Sequence, residues 1–287
     1  MAGSVNLFVL NWNGRDLTLD CLSSLEKVIY PNVKIHIIDN GSSDNSVVSI
    51  RNKFPDYEII ELAENHGFAK GNNTGFQSVK QKADYTIFLN NDTIVDPNFI
   101  DPLVNELEAI SNVKQTAPKI FYEDKKEYIW FAGGIISLWT GVIRHSGIRK
   151  KDSSKFSQKR KIDYATGCCV CMRTVDFESI GMFDESFPMY GEDVDLSLRF
   201  RNQGGKVIFV PKSIIWHKVS ASLGKKSSLK KLKMKYTGKM RLITKNFNLF
   251  QILIFLPLII LFSLCELLFH PILIFLNQYR TSHKIDD

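Results

Sequence analysis

Five short strings in this 287-residue sequence carry side chains able to do chemistry, and each follows or borders an apolar run. In "IDNGSSD", Asp39 could accept hydrogen bonds from a nucleobase or ribose. The same string also suits a tight turn, which Asn-Gly and Asp favour. "NHGFAKGNNTG" could bring backbone N–H groups and Lys70 up to a diphosphate, although it lacks the spacing of a Walker or dinucleotide-binding loop. In "LNNDT", Asp92 follows Asn90 and Asn91. Hard divalent cations take oxygen ligands and usually keep substrate phosphate oxygens. Asp92, a diphosphate and one further protein ligand would therefore make a site; the competing reading is a polar turn before a helix near Pro97.

"YGEDVDLSLRF" holds three acids at a helix start. Asp193 could cap the helix, and Asp195 could pair with Arg199 four residues on. One cap needs one carboxylate, which leaves Glu192 or Asp193 for other work. An Asp facing a cleft can act as a general base on a hydroxyl. His217, in "PKSIIWHKVS", is a plausible ligand for Mg2+ or, better, Mn2+, or an ordinary structural histidine.

Alternating elements must position these groups. Residues 5–10, 33–39, 57–62 and 85–89 read as strands, with helical patterns after the first three. Such alternation implies a parallel sheet with right-handed crossovers, which binds ligands at the strands' carboxyl ends. Residues 113–173 read as an antiparallel extension with glycine turns, and 149–161 as a basic loop. Short helices are expected over 175–180 and 193–202, and a strand over 206–210 ended by Pro211.

Composition excludes other classes. A hydrophobic content of 44% and a charged content of 23% are globular values. The net charge is +7, but residues 218–246 alone carry +10, leaving −3 elsewhere, so the basicity does not mark a nucleic-acid-binding core. The short apolar run at 5–10 is no signal peptide. Five cysteines form neither a disulfide framework nor a zinc pattern, and "GCCVC" reads as a buried, reduced strand. Residues 250–276 are almost wholly apolar. With the basic stretch before them they imply a membrane-associated helical tail on the cytoplasmic face. Pro257, Glu266, His270 and Pro271 favour an in-plane or re-entrant placement over a straight span.

The strings "VLNWNG", "IDNGSSD", "NHGFAKGNNTG", "LNNDT", "GMFDESFPMYGEDVDLSLRFRNQGG" and "VPKSIIWHK" follow one another over residues 5–217. In that order they resemble the inverting family-2 glycosyltransferases, specifically the rhamnosyltransferase-like branch. The resemblance implies an α/β, GT-A type nucleotide-sugar-binding fold with a mainly parallel sheet over residues 1–217, and a basic and hydrophobic tail over 218–287. It implies Asn11 and Asp39 at the nucleoside, Asn65 and Lys70 near base and diphosphate, and Asn90 and Asn91 lining the donor site. Asp92 would be the metal-binding acid of a D-x-D motif, His217 a second metal ligand, and Asp193 the catalytic base. Here the first acid of that motif is replaced by Asn90, which can still bond ribose but removes one carboxylate from the metal.

The activity so implied is transfer of rhamnose or a similar sugar from a nucleotide-diphosphate sugar to a glycan hydroxyl, on a lipid-linked acceptor, in cell-surface polysaccharide synthesis. The partners are that donor, that acceptor and a membrane surface, with no nucleic acid, and a homo-oligomer is left open. A polyprenyl-phosphate glycosyltransferase and a catalytically dead, membrane-bound nucleotide-sugar binder are the alternatives.

Overall fold

The computed structural model describes residues 2–137, 142–187, 189–219, 229–250, 252–253 and 257. Strands β1 (Val5–Asn11), β2 (Val33–Asp39), β3 (Glu58–Glu61) and β4 (Tyr85–Asn90) lie in the order β4-β1-β2-β3, all parallel. Helices α1 (Arg15–Leu25), α2 (Ser46–Lys53) and α3 (Gly67–Ser78) are the crossovers. In α1 the buried residues Thr18, Cys21, Leu22 and Leu25 recur at helical spacing and form its inner face. In β1 the run from Val5 to Val9 is buried throughout, as expected of a strand covered on both faces.

Beyond β4 the sheet becomes mixed. The chain continues through β5 (Thr93–Val95), α4 (Ile100–Ala109), β6 (Val113–Tyr122), β7 (Tyr128–Phe131), β8 (Gly134–Ile136), β9 (Ile143–His145), β10 (Lys150–Lys151), β11 (Arg160–Ile162) and β12 (Cys169–Arg173). Strand β12 lies antiparallel between β4 and β6. The mainly parallel expectation therefore holds for β1 to β4 and for the later pairing of Lys206–His217 with β6, while β12 runs antiparallel to both of its neighbours. The basic stretch at 149–161 is not a plain loop: it contains β10, β11 and a 3-10 turn, Ser154–Phe156, anchored by buried Phe156.

Helices α5 (Thr174–Ser179) and α6 (Glu192–Asn202) and strand β13 (Lys206–His217) complete the sheet-bearing body. Strand β13 does not stop at Pro211. Its register on β6 shifts between Val210 and Ile214, so the proline sits in an irregular stretch where no ladder hydrogen bond is asked of it. Phe8, Phe76, Phe88, Phe177 and Phe183 form an aromatic cluster with ring centroids 5.0–5.9 Å apart, tying α3 and α5 to the sheet.

Helix α7 (Leu229–Asn246) occupies most of the basic segment. The apolar run of 250–276 lies almost entirely outside the described residues. Among the described residues no helix is long and apolar enough to cross a membrane.

Candidate active site

The register of the parallel strands sets the carboxyl-end row. Asn11 is level with Asp39, and Leu10 with Asn90. Asn11 is fully buried. Its amide donates to Asp39 Oδ1 at 2.8 Å and to Ser42 Oγ at 3.1 Å. Its oxygen accepts from Gly14 N, Thr18 Oγ1 and Asn91 Nδ2 at 3.2, 2.8 and 3.1 Å. Asn11 thus orients Asp39 rather than offering a surface of its own, and Asn91 is bonded into the same group. The other oxygen of Asp39 accepts from Ser42 N at 2.9 Å.

The next loop is held in a similar way. Buried Asn40 donates to Asn65 Oδ1 at 3.0 Å and Gly67 O at 3.1 Å, and accepts from His66 N at 2.9 Å. Asn65 and Lys70 are exposed, the first just before α3 and the second in its first turn. Trp12 is the large aromatic left open at this edge, 56% exposed. An exposed ring suits stacking on a base.

Asp92 and His217 meet because β5 and β13 pair antiparallel, with Thr93 opposite His217. His217 Nε2 is 3.0 Å from Asp92 Oδ1, and both residues are buried. Trp130 packs edge-on against His217, centroids 4.4 Å apart, and against His145 at 4.5 Å. Burial lowers the His145 pKa to about 4, so that ring is a neutral packing group.

Asp193 adjoins this pair through one short segment. Gly167 N donates to Asp193 Oδ2 at 2.9 Å, and the next residue, Cys168, accepts from Asn90 N at 2.9 Å. The other Asp193 oxygen accepts from Val194 N at 2.8 Å. Asp193 is not the helix cap. Gly191, with φ +105°, takes that position at the end of a left-handed turn, and Glu192, Asp193 and Asp195 all follow it inside the first turn of α6.

Desolvation raises the Asp193 pKa above the usual carboxylate range. It raises that of Glu192 to about 8, with the neighbouring Asp193 charge adding to the effect. Asp195 is different. It accepts from Arg199 Nε at 2.8 Å, as its spacing predicts. Cys168, Cys169 and Cys171 are buried free thiols whose pKa values burial pushes upward, consistent with the reduced strand expected from "GCCVC".

Sequence reasoning missed Asn40, Thr18, Gly167 and Trp130. Each has a partner distant in the chain, Asn91 in the case of Thr18, and no local spacing announces it.

A divalent cation can be tested against these donors. Neighbouring ligands about 2.1 Å from an octahedrally coordinated cation lie about 3 Å apart. The 3.0 Å separation of His217 Nε2 and Asp92 Oδ1 fits this spacing. No group of three or more His, Cys, Asp or Glu converges among the described residues, so further ligands would have to come from substrate oxygens or water.

The architecture is that of the GT-A glycosyltransferases. It is similar to the crystal structure of GalNAc-T7 with UDP, GalNAc and Mn2+, with a TM-score of 0.61 and 17% identity over 75% of this chain and 43% of that one. More closely, the chain belongs to glycosyl transferase family 2, whose sequence profile matches residues 7–181. It is 28% identical over 207 residues to the O-antigen biosynthesis protein RfbC of Myxococcus xanthus, covering 70% of this chain but 16% of that protein's length. It is 24% identical over 229 residues to an N-acetylglucosaminyl-diphospho-decaprenol L-rhamnosyltransferase of Mycobacterium tuberculosis, covering 71% of this chain and 72% of that protein.

The shifted acids make stability depend on pH. Glu192 holds its proton up to about 8 in the fold, against an ordinary value of 4.5. The folded state therefore binds more protons than the unfolded state between those values, and this contribution to stability falls as pH rises through them. Glu192→Gln, fixed in the neutral form, should gain in Tm relative to the wild type as pH rises from about 4.5 to about 8. Thermal melts across that range test this; a gap that does not vary with pH would mean that Glu192 titrates normally.

Proposed function

We propose that this chain is an inverting, divalent-cation-dependent enzyme. It would move rhamnose or a similar sugar from a nucleotide-diphosphate sugar to a glycan hydroxyl. The observation that supports this best is the placement of Asp193, held by Gly167 N one residue from Cys168, which binds Asn90 beside the Asp92–His217 pair.

Asp39, Asn65, Asn90 and Asn91 would meet the nucleoside side of the donor, with Asn11 fixing Asp39. Lys70 would place a positive charge near the leaving diphosphate. A cation held by Asp92, His217 and donor oxygens would neutralise further charge there. Asp193, made more basic by desolvation, would take the acceptor proton. The acceptor oxygen would then bond to the anomeric carbon from the face opposite the diphosphate, which leaves with the electrons of its bond. One displacement inverts the centre.

The name of the Mycobacterium tuberculosis relative supports a lipid-linked acceptor, and that of the Myxococcus xanthus relative, an O-antigen biosynthesis protein, supports a role in cell-surface polysaccharide synthesis. The reading divides the chain into a catalytic part, 1–217, and a membrane-facing part, 218–287. The +10 charge of residues 218–246 would attract anionic headgroups by about 1 kcal/mol per well-placed basic residue. Such placement suits the cytoplasmic face of a membrane. A polyprenyl phosphate acceptor has little proton to lose, so a requirement for Asp193 would argue against that alternative.

Asp193→Asn keeps the shape of the side chain but cannot take a proton. Transfer should fall by about 10²–10⁴-fold with nucleotide affinity unchanged, and wild-type turnover would move the base elsewhere. Activity should also vanish on thorough chelation and return with Mg2+ or Mn2+. Full turnover in chelator would remove the cation from the mechanism. In cell fractions the full-length chain should sediment with membranes at low salt; protein that stays in the supernatant without detergent would refute the membrane reading.

A further inference from the structure

Helix α7 packs on the body that carries Asp193. Leu242 and Ile243 are each 1% exposed, and Phe247 is buried with them. Lys245 Nζ lies between two carboxylates, 2.6 Å from Asp184 and 2.9 Å from Asp195. Asn246 Nδ2 is 3.1 Å from the same Asp195 oxygen. Arg241 donates to the carbonyl of Ser186. At Gly238 the approach is closest: an added Cβ would come within 2.1 Å of the Tyr190 carbonyl oxygen and 2.9 Å of the Met189 oxygen.

These contacts surround one turn. Tyr190 and Gly191 have φ of +68° and +105°, two left-handed residues in a row, and Tyr190 is not a glycine. Such a conformation persists only where its surroundings hold it. The turn launches α6, with Glu192 and Asp193 as its first residues. Two residues further on, Asp195 has no exposed surface. Arg199 serves one of its oxygens, and α7 serves the other.

We propose that α7 is a strap that sets the position of the catalytic base. Gly238 holds the Tyr190–Gly191 turn by close backbone contact. Lys245 and Asn246 hold the first turn of α6 through Asp195. All three are positioning residues, since none touches Asp193. The proposal rests on the reading of Asp193 as the base. It gives the basic segment a function inside the active site, apart from any attraction to a membrane.

The test uses the full-length chain with four variants: Gly238→Ala, Lys245→Met, Lys245→Arg and Asp193→Asn. Alanine is otherwise the better helix former, so a loss in Gly238→Ala cannot come from weakening α7 itself. Gly238→Ala and Lys245→Met should each lower kcat by about 10- to 100-fold, the scale of a small misplacement of a reacting group. Donor KM and nucleotide Kd should not change, and Lys245→Arg should restore most of the rate. Wild-type kcat in Gly238→Ala and Lys245→Met, with Asp193→Asn inactive, would overturn the strap alone. A loss of nucleotide affinity in step with kcat would also overturn it, since that marks general loosening. Wild-type turnover in Asp193→Asn would overturn the reading of the base, and the strap with it.

Discussion

The carboxyl-end edge of the sheet depends on one buried amide. Asn11 reaches the end of β2 through Asp39, the loop after it through Ser42, the start of α1 through Gly14 and Thr18, and the end of β4 through Asn91. Its donors and its oxygen are all engaged, and the residue has no exposed surface. In a low-dielectric interior such bonds strengthen one another, and leaving one unmade is costly. The group therefore has one favourable geometry. Asp39 and the Asn90–Asp92 segment inherit their positions from it, and the β5–β13 pairing then brings His217 to Asp92.

Besides Asp39, four buried or half-buried acids crowd this end of the molecule, and their partners separate their roles. Asp195 meets a guanidinium, an ammonium and an amide, and is engaged structurally. Asp92 meets an imidazole. The hydrogen bonds of Asp193 come from backbone N–H groups, so desolvation dominates and its proton affinity rises. Glu192 is driven the same way by burial and by its neighbour. A carboxylate that keeps basicity and some access to solvent is suited to proton transfer, whereas one clamped by cations is not. The distinction comes from the surroundings, since Asp193 and Asp195 are the same side chain on one helix.

Much of this was legible in the residues. The alternation of apolar runs with helical patterns located β1 to β4 and their crossovers, because each local period agrees with the fold. The Asp195–Arg199 pair followed from helical spacing alone. Other features were not legible, for physical reasons. The insertion of β12 between β4 and β6 is a long-range choice with no local period. Pro211 reads as a strand end, yet a shift of register absorbs it. The helix cap went to Gly191 because a left-handed turn precedes α6, and a strand-to-helix boundary does not reveal that. The basic segment suggested electrostatics with a membrane; its buried Leu242 and Ile243, and the closeness of Gly238 to Tyr190, appear only once α7 is packed.

The irregular stretch in β13 also makes the length of that strand a functional quantity. His217 lies opposite Thr93 on one neighbour and Tyr122 on the other, so its side chain is aimed by counting residues from the shift after Val210. Side chains alternate faces along a strand. Removing or adding one residue between 211 and 213 would leave the apolar positions of 206–210 in place while turning the imidazole away from Asp92. The same slip would turn the fully buried Ile215 out of the core, so the packing of this end and the aim of the imidazole are fixed by one register.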